Sequence, residues 1–250
     1  MSYEKVLIVT DNAYLYEEFR KIILEKKITS ITMEYGFSQG NEVFLKYIED
    51  GHNILPIDVH QQTDWLIDAF DLIISLHCKQ VFPVKLIKAV KCINIHPGFN
   101  PYNRGCYPQV FSILNQKPCG VTIHEMDELI DHGPIIAQAE VPIHAWDTSL
   151  SVYERIIETE MDLLASYLTQ IIAGDYSTTF PIYEGNINTN KDFKRLCKID
   201  LEEEGSFGEF LNRLRALSHG KYNNAFFIDS KTGKKIYISI TLQPTDANDE

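Results

Sequence analysis

The sequence predicts an α/β fold built on a mostly parallel central sheet, and two features of the chain lead to this prediction. Short runs of β-branched and other apolar residues alternate with segments of helical periodicity through roughly the first hundred residues. Residues 71–76 (DLIISL) form an unbroken apolar run, which is typical of a parallel strand covered on both faces. Together these features favour strands joined by crossover helices.

The elements of this first part follow from local patterns. Leu15, Phe19 and Ile22 recur at helical spacing, and Pro83 opens a later helix because proline is tolerated in a first turn. The predicted strands are residues 5–10, 28–33, 53–58, 71–76 and 92–95, and the predicted helices are residues 14–26, 42–48, 63–70 and 83–90. Such an alternation predicts a doubly wound, Rossmann-like sheet.

The middle of the chain continues the same domain. A helix is expected at 107–114, followed by strands at 120–126 and 135–143 that form either a hairpin or a long crossing pair. Residues 147–149 (DTS) offer N-caps to a long helix, which Gly174 ends. We place the end of this first domain at residue 183.

The remaining residues, 184–250, are predicted to form a linker and a small C-terminal subdomain. Residues 184–204 mix Gly, Asn and Lys with an acidic run, a composition typical of a linker. A helix is then expected at 207–217, followed by a hairpin of strands at 225–229 and 235–242 joined through residues 231–233 (KTG).

Composition narrows the classes of function. The 250 residues carry a net charge of -12, which disfavours a general nucleic-acid or anionic-membrane surface. No segment approaches the roughly 20 consecutive apolar residues of a membrane span, and the N-terminus lacks the pattern of a signal peptide. Five cysteines without CxxC spacing indicate reduced thiols. We therefore expect a cytoplasmic protein.

Three polar residues suggest chemistry at the sheet. Ligands of open α/β sheets bind beyond the carboxyl ends of strands, where Asn94 and His96 lie two residues apart and share one face. On their own, these two residues are equally consistent with a packing histidine before a proline. Asp131, in a turn between two predicted strands, completes a set suited to acyl transfer to an amine. His96 can accept the proton of the amine, and Asp131 can orient the His96 imidazole. Asn94 can donate a hydrogen bond to the developing oxyanion.

At this point the sequence resembles a known family, the 10-formyltetrahydrofolate-dependent formyltransferases. The resemblance covers about residues 1 to 183 and rests on motifs in family-like order. These are Asn94-Ile-His96-Pro97, Gly105, Gly120-Val-Thr-Ile-His124, Asp131-x-Gly133-x-Ile135-Ile136-x-Gln138 and Asp147-Thr148. It implies a Rossmann-like formyltransferase domain with Asn94, His96 and Asp131 as the catalytic set and His96 as the general base. It also implies N10-formyltetrahydrofolate as the formyl donor.

Three segments resemble the branch of this family that acts on nucleotide sugars. They are residues 75–83 (SLHCKQVFP), 103–111 (NRGCYPQVF) and 214–225 (LRALSHGKYNNA). This branch implies transfer of the formyl group to the amine of a dTDP-linked amino-dideoxy sugar for bacterial O-antigen or other surface polysaccharide. The expected acceptor is dTDP-4-amino-4,6-dideoxyglucose, and a 3-amino-3,6-dideoxy sugar is the close alternative.

The resemblance also implies binding residues. Val81, Phe82, Asp127 and Leu129 are expected to bind the folate cofactor. The candidates for the dTDP-sugar are His77, Lys79, Arg104 and Tyr222, which offer the cations and the flat ring that a diphosphate and a base require.

Other side chains are given a structural interpretation. His124 and His132 are interpreted as a packing histidine and a surface histidine. No metal site is expected, and the absence of GxGxxG and GxxxxGK[ST] gives no reason to expect NAD or ATP.

Two further functions remain open at the level of sequence. One is formylation of glycinamide ribonucleotide, and the other is a non-catalytic folate or nucleotide-sugar binding module, since a fold does not dictate its chemistry. The apolar C-terminal hairpin must be covered by the first domain or by a second subunit, and the family resemblance favours a homodimer.

Overall fold

The computed structural model describes residues 2–245, which contain a seven-stranded sheet and two short two-stranded sheets. The strands are β1 (Lys5–Thr10), β2 (Thr32–Ser38), β3 (Leu55–Ile57), β4 (Leu72–Leu76), β5 (Lys91–His96), β6 (Arg104–Gly105), β7 (Gly120–Glu125), β8 (Ile135–Glu140), β9 (Ile187–Asn188), β10 (Phe226–Ile228) and β11 (Lys235–Tyr237). The helices are α1 (Ala13–Glu25), α2 (Glu42–Glu49), α3 (Thr63–Ala69), α4 (Val84–Ala89), α5 (Pro108–Asn115), α6 (Ser149–Ala173), α7 (Asn190–Cys197) and α8 (Phe207–Leu217).

The large sheet has the strand order β3-β2-β1-β4-β5-β7-β8. Strands β1 to β5 pair in parallel, and β7 pairs with β5 in the antiparallel sense. The order reverses between β1 and β4, as in a doubly wound sheet. The predicted Rossmann-like α/β class is therefore confirmed, including the small C-terminal helix α8 and the hairpin of β10 and β11.

Burial explains why the apolar runs form the central strands. Every residue of β4 is buried, and so are five of the six residues of β1. Helix α1 begins after Asn12, whose side chain accepts hydrogen bonds from the Tyr14 and Leu15 amides and so caps the first turn. The helix then packs Leu15, Phe19 and Ile22 into the core, as the helical spacing predicts.

Contacts divide the described chain into two units, which are treated separately below. The first unit contains the residues through Pro97, Val121–Ala139 and Ile157–Tyr183, and the second contains Gly98–Gly120, Glu140–Ile156 and the residues from Glu184 onward. The boundary predicted at residue 183 and a separate subdomain at 184–250, whose last five residues lie outside the described part, stay predictions. No helix within residues 2–245 is both long enough and apolar enough to cross a membrane.

Two sequence predictions are wrong in detail. The second strand is β2 at residues 32–38 rather than 28–33, because it pairs with β1 from Lys5↔Thr32 onward and this pairing, not local propensity, sets its start. The predicted linker at 184–204 contains strand β9 and helix α7. The prediction relied on composition and overlooked a capping box at the start of α7. In this capping box the Thr189 hydroxyl accepts a hydrogen bond from the Asp192 backbone N–H, and the Asp192 carboxylate accepts one from the Thr189 backbone N–H.

Strands β7 and β8 form a hairpin, which decides between the two arrangements that the sequence left open. Backbone hydrogen bonds run from the Glu125 amide to the Pro134 carbonyl and from the Val141 amide to the Cys119 carbonyl, so the two strands are antiparallel. The turn between them permits no side chain at Gly133, because a Cβ atom there would lie 2.0 Å from the Glu125 carbonyl oxygen. Gly133 thus allows the close backbone approach that holds the turn against β7.

We expect Gly133→Ala to lower the free energy of unfolding by about 1–3 kcal/mol, because the new methyl group must push the turn away from Glu125. A matched control is Gly208→Ala in α8, where a Cβ atom meets nothing closer than 4.0 Å. That change should be neutral or stabilise by up to about 1 kcal/mol through helix propensity. Urea unfolding of both variants checks this expectation, and equal stability of the two would contradict it.

Candidate active site

The candidate site lies where β4 and β5 end, in the first unit. The parallel register places Ser75 beside Asn94 and Leu76 beside Ile95. Asn94 and His96 are two residues apart on β5, so both side chains project from the same face of the sheet. His96 is buried and Asn94 is half-buried, which places both groups in an environment of low dielectric constant.

Asp131 contacts both of these residues. The Asn94 amide nitrogen donates a 2.9 Å hydrogen bond to Asp131 Oδ1, and His96 Nδ1 lies 3.4 Å from Asp131 Oδ2. Asp131 has φ +47°, a left-handed conformation that aspartate tolerates better than most residues. The structure therefore brings together the three residues that the sequence singled out as a catalytic set.

A fourth residue, His124, belongs to the same cluster and was missed by sequence reasoning. The side chain is buried, and the antiparallel register of β5 and β7 sets it opposite Asn94. Nδ1 lies 2.7 Å from the Glu125 carbonyl oxygen, which can only accept, so Nδ1 carries a hydrogen. Nε2 then faces Asn94 Nδ2 at 3.4 Å and Asp131 Oδ1 at 3.6 Å. The signal available in the sequence was its place in the Gly120-Val-Thr-Ile-His124 motif.

The end of β7 is anchored beside this cluster by Glu125. Its carboxylate accepts a 2.8 Å hydrogen bond from the Tyr176 hydroxyl and pairs with Lys91 at 2.8 Å. Burial and the adjacent Glu125 carboxylate raise the pKa of Tyr176, so this hydroxyl stays protonated and keeps donating. The strand that carries His124 is thereby tied to β5 and to the segment after α6.

The residues predicted to bind a folate occupy different environments. Val81 and Leu129 are exposed, whereas Phe82 is buried in the core beside Leu66 and Leu86. The Asp127 carboxylate accepts from the Leu129 amide at 2.9 Å and lies 2.6 Å from His132 Nδ1. Asp127 thus shapes the turn that carries Asp131. His132, interpreted as a surface histidine, is half-buried and forms part of this turn.

The predicted sugar-nucleotide residues are divided between the two units. In the first unit, the Lys79 side chain is exposed while its amide donates to Asp11, and His77 contacts the buried carboxylate of Glu160. In the second unit, Arg104 is buried and pairs with Glu184 at 2.9 Å, and Tyr222 is exposed. Binding roles for His77, Lys79, Arg104 and Tyr222 stay predictions.

The chemistry of the cluster matches acyl transfer without a protein nucleophile. Burial raises the pKa of the Cys78 thiol to about 11 and that of the Cys92 thiol to about 12, so both thiols stay protonated at neutral pH. The cluster instead offers an imidazole as base, a carboxylate to orient it and an amide donor.

Comparisons with known proteins agree with this chemistry. Residues 59–168 match a family model described as formyl transferase, and residues 192–244 match one described as the N-formyltransferase dimerization C-terminal domain. A protein of Mycobacterium tuberculosis named dTDP-4-amino-4,6-dideoxyglucose formyltransferase is 50% identical over 240 residues, which is 96% of this chain and 97% of the relative.

Solved structures give the same result. A 4-N formyltransferase from Francisella tularensis is 40% identical with a TM-score of 0.92, over 97% of this chain and 99% of that one. A sugar N-formyltransferase from Shewanella sp. is 43% identical with a TM-score of 0.91, again over 97% of this chain and 99% of that one. With such identity along nearly its whole length, the chain belongs to the sugar N-formyltransferase family.

Proposed function

We propose that this protein transfers a formyl group from N10-formyltetrahydrofolate to the amine of dTDP-4-amino-4,6-dideoxyglucose. One observation carries the proposal: Asn94, His96 and Asp131 are in contact in a chain that is 50% identical to proteins named for this activity. The formylated sugar is proposed to enter bacterial O-antigen or another surface polysaccharide.

The side chains around the turn are suited to the folate. Val81, Leu129 and Ile130 expose apolar surface in the first unit, and apolar surface suits a flat pterin ring. When bound, the folate supplies the formyl group as an acyl donor. Phe82, which lies in the core, supports this loop by packing and offers a ligand only its backbone.

His96 is proposed as the base that accepts the proton of the attacking amine. Its Nδ1 faces Asp131, so Nε2 is the nitrogen that receives the proton. The Asp131 carboxylate orients the ring and stabilises the imidazolium that forms during the reaction, because it places an opposite charge 3.4 Å from Nδ1.

Asn94 supplies the second part of the mechanism. One amide hydrogen is directed at Asp131 over 2.9 Å, and the other faces His124 Nε2 over a longer 3.4 Å contact. The second hydrogen is therefore the one available to a carbonyl oxygen that gains negative charge. In the absence of a ligand, His124 Nε2 accepts this second hydrogen and so holds the Asn94 amide in the same orientation.

A dTDP ligand carries two phosphates, so a chain of net charge -12 needs local cations to bind it. Lys79 follows the end of β4 and keeps its side chain exposed, which suits a phosphate contact. Tyr222 exposes a flat ring suited to stacking on a base. Arg104 already pairs with Glu184, so a contact with the diphosphate requires its guanidinium to bind the Glu184 carboxylate and a phosphate at the same time.

The protein is proposed to act as a homodimer in the cytoplasm. The match to a dimerization domain model supports the dimer, as do Ile228, Ile236 and Tyr237, which are 45%, 39% and 46% exposed on the hairpin of β10 and β11. None of the five cysteines, all of which lie within the described residues, forms a disulfide, as expected in a reducing compartment.

The reaction itself is tested by incubating the purified protein with N10-formyltetrahydrofolate and each of two acceptors. We expect mass spectrometry to detect the formyl group on dTDP-4-amino-4,6-dideoxyglucose and much less on the 3-amino isomer. Preference for the 3-amino isomer would identify the protein as a 3-amino-3,6-dideoxy sugar formyltransferase. Formylation of glycinamide ribonucleotide without inhibition by dTDP would identify it as a glycinamide ribonucleotide formyltransferase. Folate binding without any product would favour the non-catalytic alternative.

We expect His96→Asn to reduce turnover by about 10²-fold or more, because the base is lost while a polar group of similar width remains. Binding of the dTDP-sugar by calorimetry should stay within about threefold, since the base acts on the reacting proton rather than in ground-state binding. The exposed His60 provides a matched control, His60→Asn, with unchanged turnover. Full turnover by the His96 variant would exclude it as the base.

We expect Ile228→Asp to convert the dimer into monomers, because it places a charge on the face of the hairpin that carries the exposed Ile228 and Tyr237. Ser230→Asp adds the same charge at an exposed position near the tip of the hairpin and should leave the dimer intact. Light scattering after gel filtration measures both masses. A monomeric unsubstituted protein at micromolar concentration would contradict the dimer, and a dimeric Ile228 variant would exclude this face as the interface.

A further inference from the structure

A network of hydrogen bonds joins the loops that follow β1, β2 and β4 in the first unit, and Asp11 lies at its centre. Asp11 directly follows β1 and is half-buried. Its Oδ1 accepts from the Ser38 amide at 2.9 Å and from the Asn41 side-chain amide at 3.2 Å. Its Oδ2 accepts from the Ser38 hydroxyl at 2.5 Å and from the Lys79 backbone amide at 2.8 Å. Because an ionised carboxylate has about four acceptor positions, these bonds occupy the whole group.

The loop after β4 is held at a second point by Gln80. Its Nε2 donates to the Ser38 hydroxyl at 3.0 Å, and its Oε1 accepts from the Val59 amide at 2.9 Å. Gln80 thereby ties the loop to the ends of β2 and β3 through bonds that do not involve Asp11. Loss of the bond between Asp11 and Lys79 is therefore expected to change the loop at Lys79 and to leave the rest of it in place.

This loop carries residues proposed for both substrates. Lys79, whose side chain is exposed, is proposed to contact the diphosphate, and Val81 is proposed to contact the folate. The end of β4 pairs with Asn94 and Ile95, so the loop begins at the edge of the sheet where the candidate active site lies. A lysine side chain is flexible, and the position of its backbone limits where its charge can act. Fixing that backbone before a ligand arrives lowers the cost of ordering it on binding.

We propose that Asp11 is a positioning residue that fixes the Lys79 backbone, so that the Lys79 ammonium binds the diphosphate of the nucleotide-linked sugar. This inference rests on the proposed function and deepens it, because it identifies what holds the proposed phosphate-binding residue in place. Asp11 acts through Lys79 and not by contact with the ligand, since its oxygens already accept four hydrogen bonds and its negative charge would repel a phosphate.

Asp11→Asn tests this contact because an amide cannot accept at all four positions. If the asparagine oxygen stays with the Ser38 amide and Asn41, its amino group faces the Ser38 hydroxyl and the Lys79 amide. The hydroxyl can then accept, but a backbone amide only donates. The opposite orientation would direct the amino group at the Ser38 amide and Asn41 and so lose two bonds. The variant is therefore expected to lose the bond to Lys79.

We expect Asp11→Asn to raise KM for the dTDP-sugar about 10-fold, in the range for a weakened contact with a charged group. Its kcat and its KM for the folate should stay within about twofold, the pattern of lost ground-state binding. The matched control is Asp71→Asn. Asp71 also accepts from two backbone amides, those of Glu4 at 3.1 Å and Lys5 at 3.0 Å, but it precedes β4 and so lies at the opposite edge of the sheet. Its variant should keep kcat and both KM values within about twofold.

A second variant and a direct measurement follow the same contact. Lys79→Met removes the ammonium but keeps a long side chain, so it should raise the same KM. The double variant of Asp11 and Lys79 should show no further increase, because the two residues act through one contact. Hydrogen exchange in ¹⁵N-lysine-labelled protein, with the Lys79 signal assigned from its loss in Lys79→Met, reads the bond itself. The Lys79 amide should exchange more slowly in the unsubstituted protein than in Asp11→Asn.

The outcomes separate this inference from the proposed function. If the unsubstituted protein formylates the sugar but Asp11→Asn behaves like Asp71→Asn, the positioning role is overturned and the function stands. A normal KM in Lys79→Met, a further rise in the double variant, or a loss of kcat in place of a higher KM also overturns it. If Asp11→Asn does not fold, an unprotected Lys79 amide in the unsubstituted protein or a normal KM in Lys79→Met still overturns it. Failure of the unsubstituted protein to bind or formylate the dTDP-sugar overturns both.

Discussion

The candidate active site depends on the antiparallel pairing of β5 with β7. This pairing sets His124 opposite Asn94, and it starts the following turn beside Cys92, whose carbonyl accepts from the Met126 amide. From there the chain returns far enough for Asp131 to contact Asn94 and His96. In a sheet made only of parallel strands the carboxyl ends of all strands lie at one edge, so no turn after a neighbouring strand would begin beside Cys92 and return to Asn94 and His96.

Backbone constraints hold the turn between β7 and β8 in the conformation that brings Asp131 to Asn94 and His96. Gly133 approaches the Glu125 carbonyl more closely than any side chain permits, and Asp131 adopts a left-handed conformation. Glu125 in turn is held by Tyr176 and Lys91. Constraints of this kind concentrate at functional sites, because a reacting group must be positioned more accurately than packing alone requires.

Much of this arrangement was predictable from the sequence, for reasons that are local. The unbroken apolar run of β4 and the spacing of Asn94 and His96 depend only on neighbouring residues, and the position of Asp131 followed from its motif. The start of β2 depended on its pairing with β1, and the role of His124 depended on its register opposite Asn94. Neither can be derived from local periodicity, because register is a property of two strands. Helix α7 was missed for another reason: its capping box was present in the sequence, but composition was given more weight.

Two of the histidine–carboxylate pairs of the first unit, His96–Asp131 and His77–Glu160, differ in the exposure of the carboxylate and in the contact distance. Asp131 keeps part of its surface accessible, shares its oxygens between Asn94 and His96, and contacts His96 over a relatively long 3.4 Å. A charge arriving on His96 can therefore be accommodated without dismantling the contact. Glu160 is sealed from solvent, and its Oε1 lies at a hydrogen-bond distance of 2.9 Å from His77 Nε2. Such a carboxylate holds a ring in place more effectively than it supports a transient charge, because low dielectric strengthens the fixed hydrogen bond and penalises any change in ionisation.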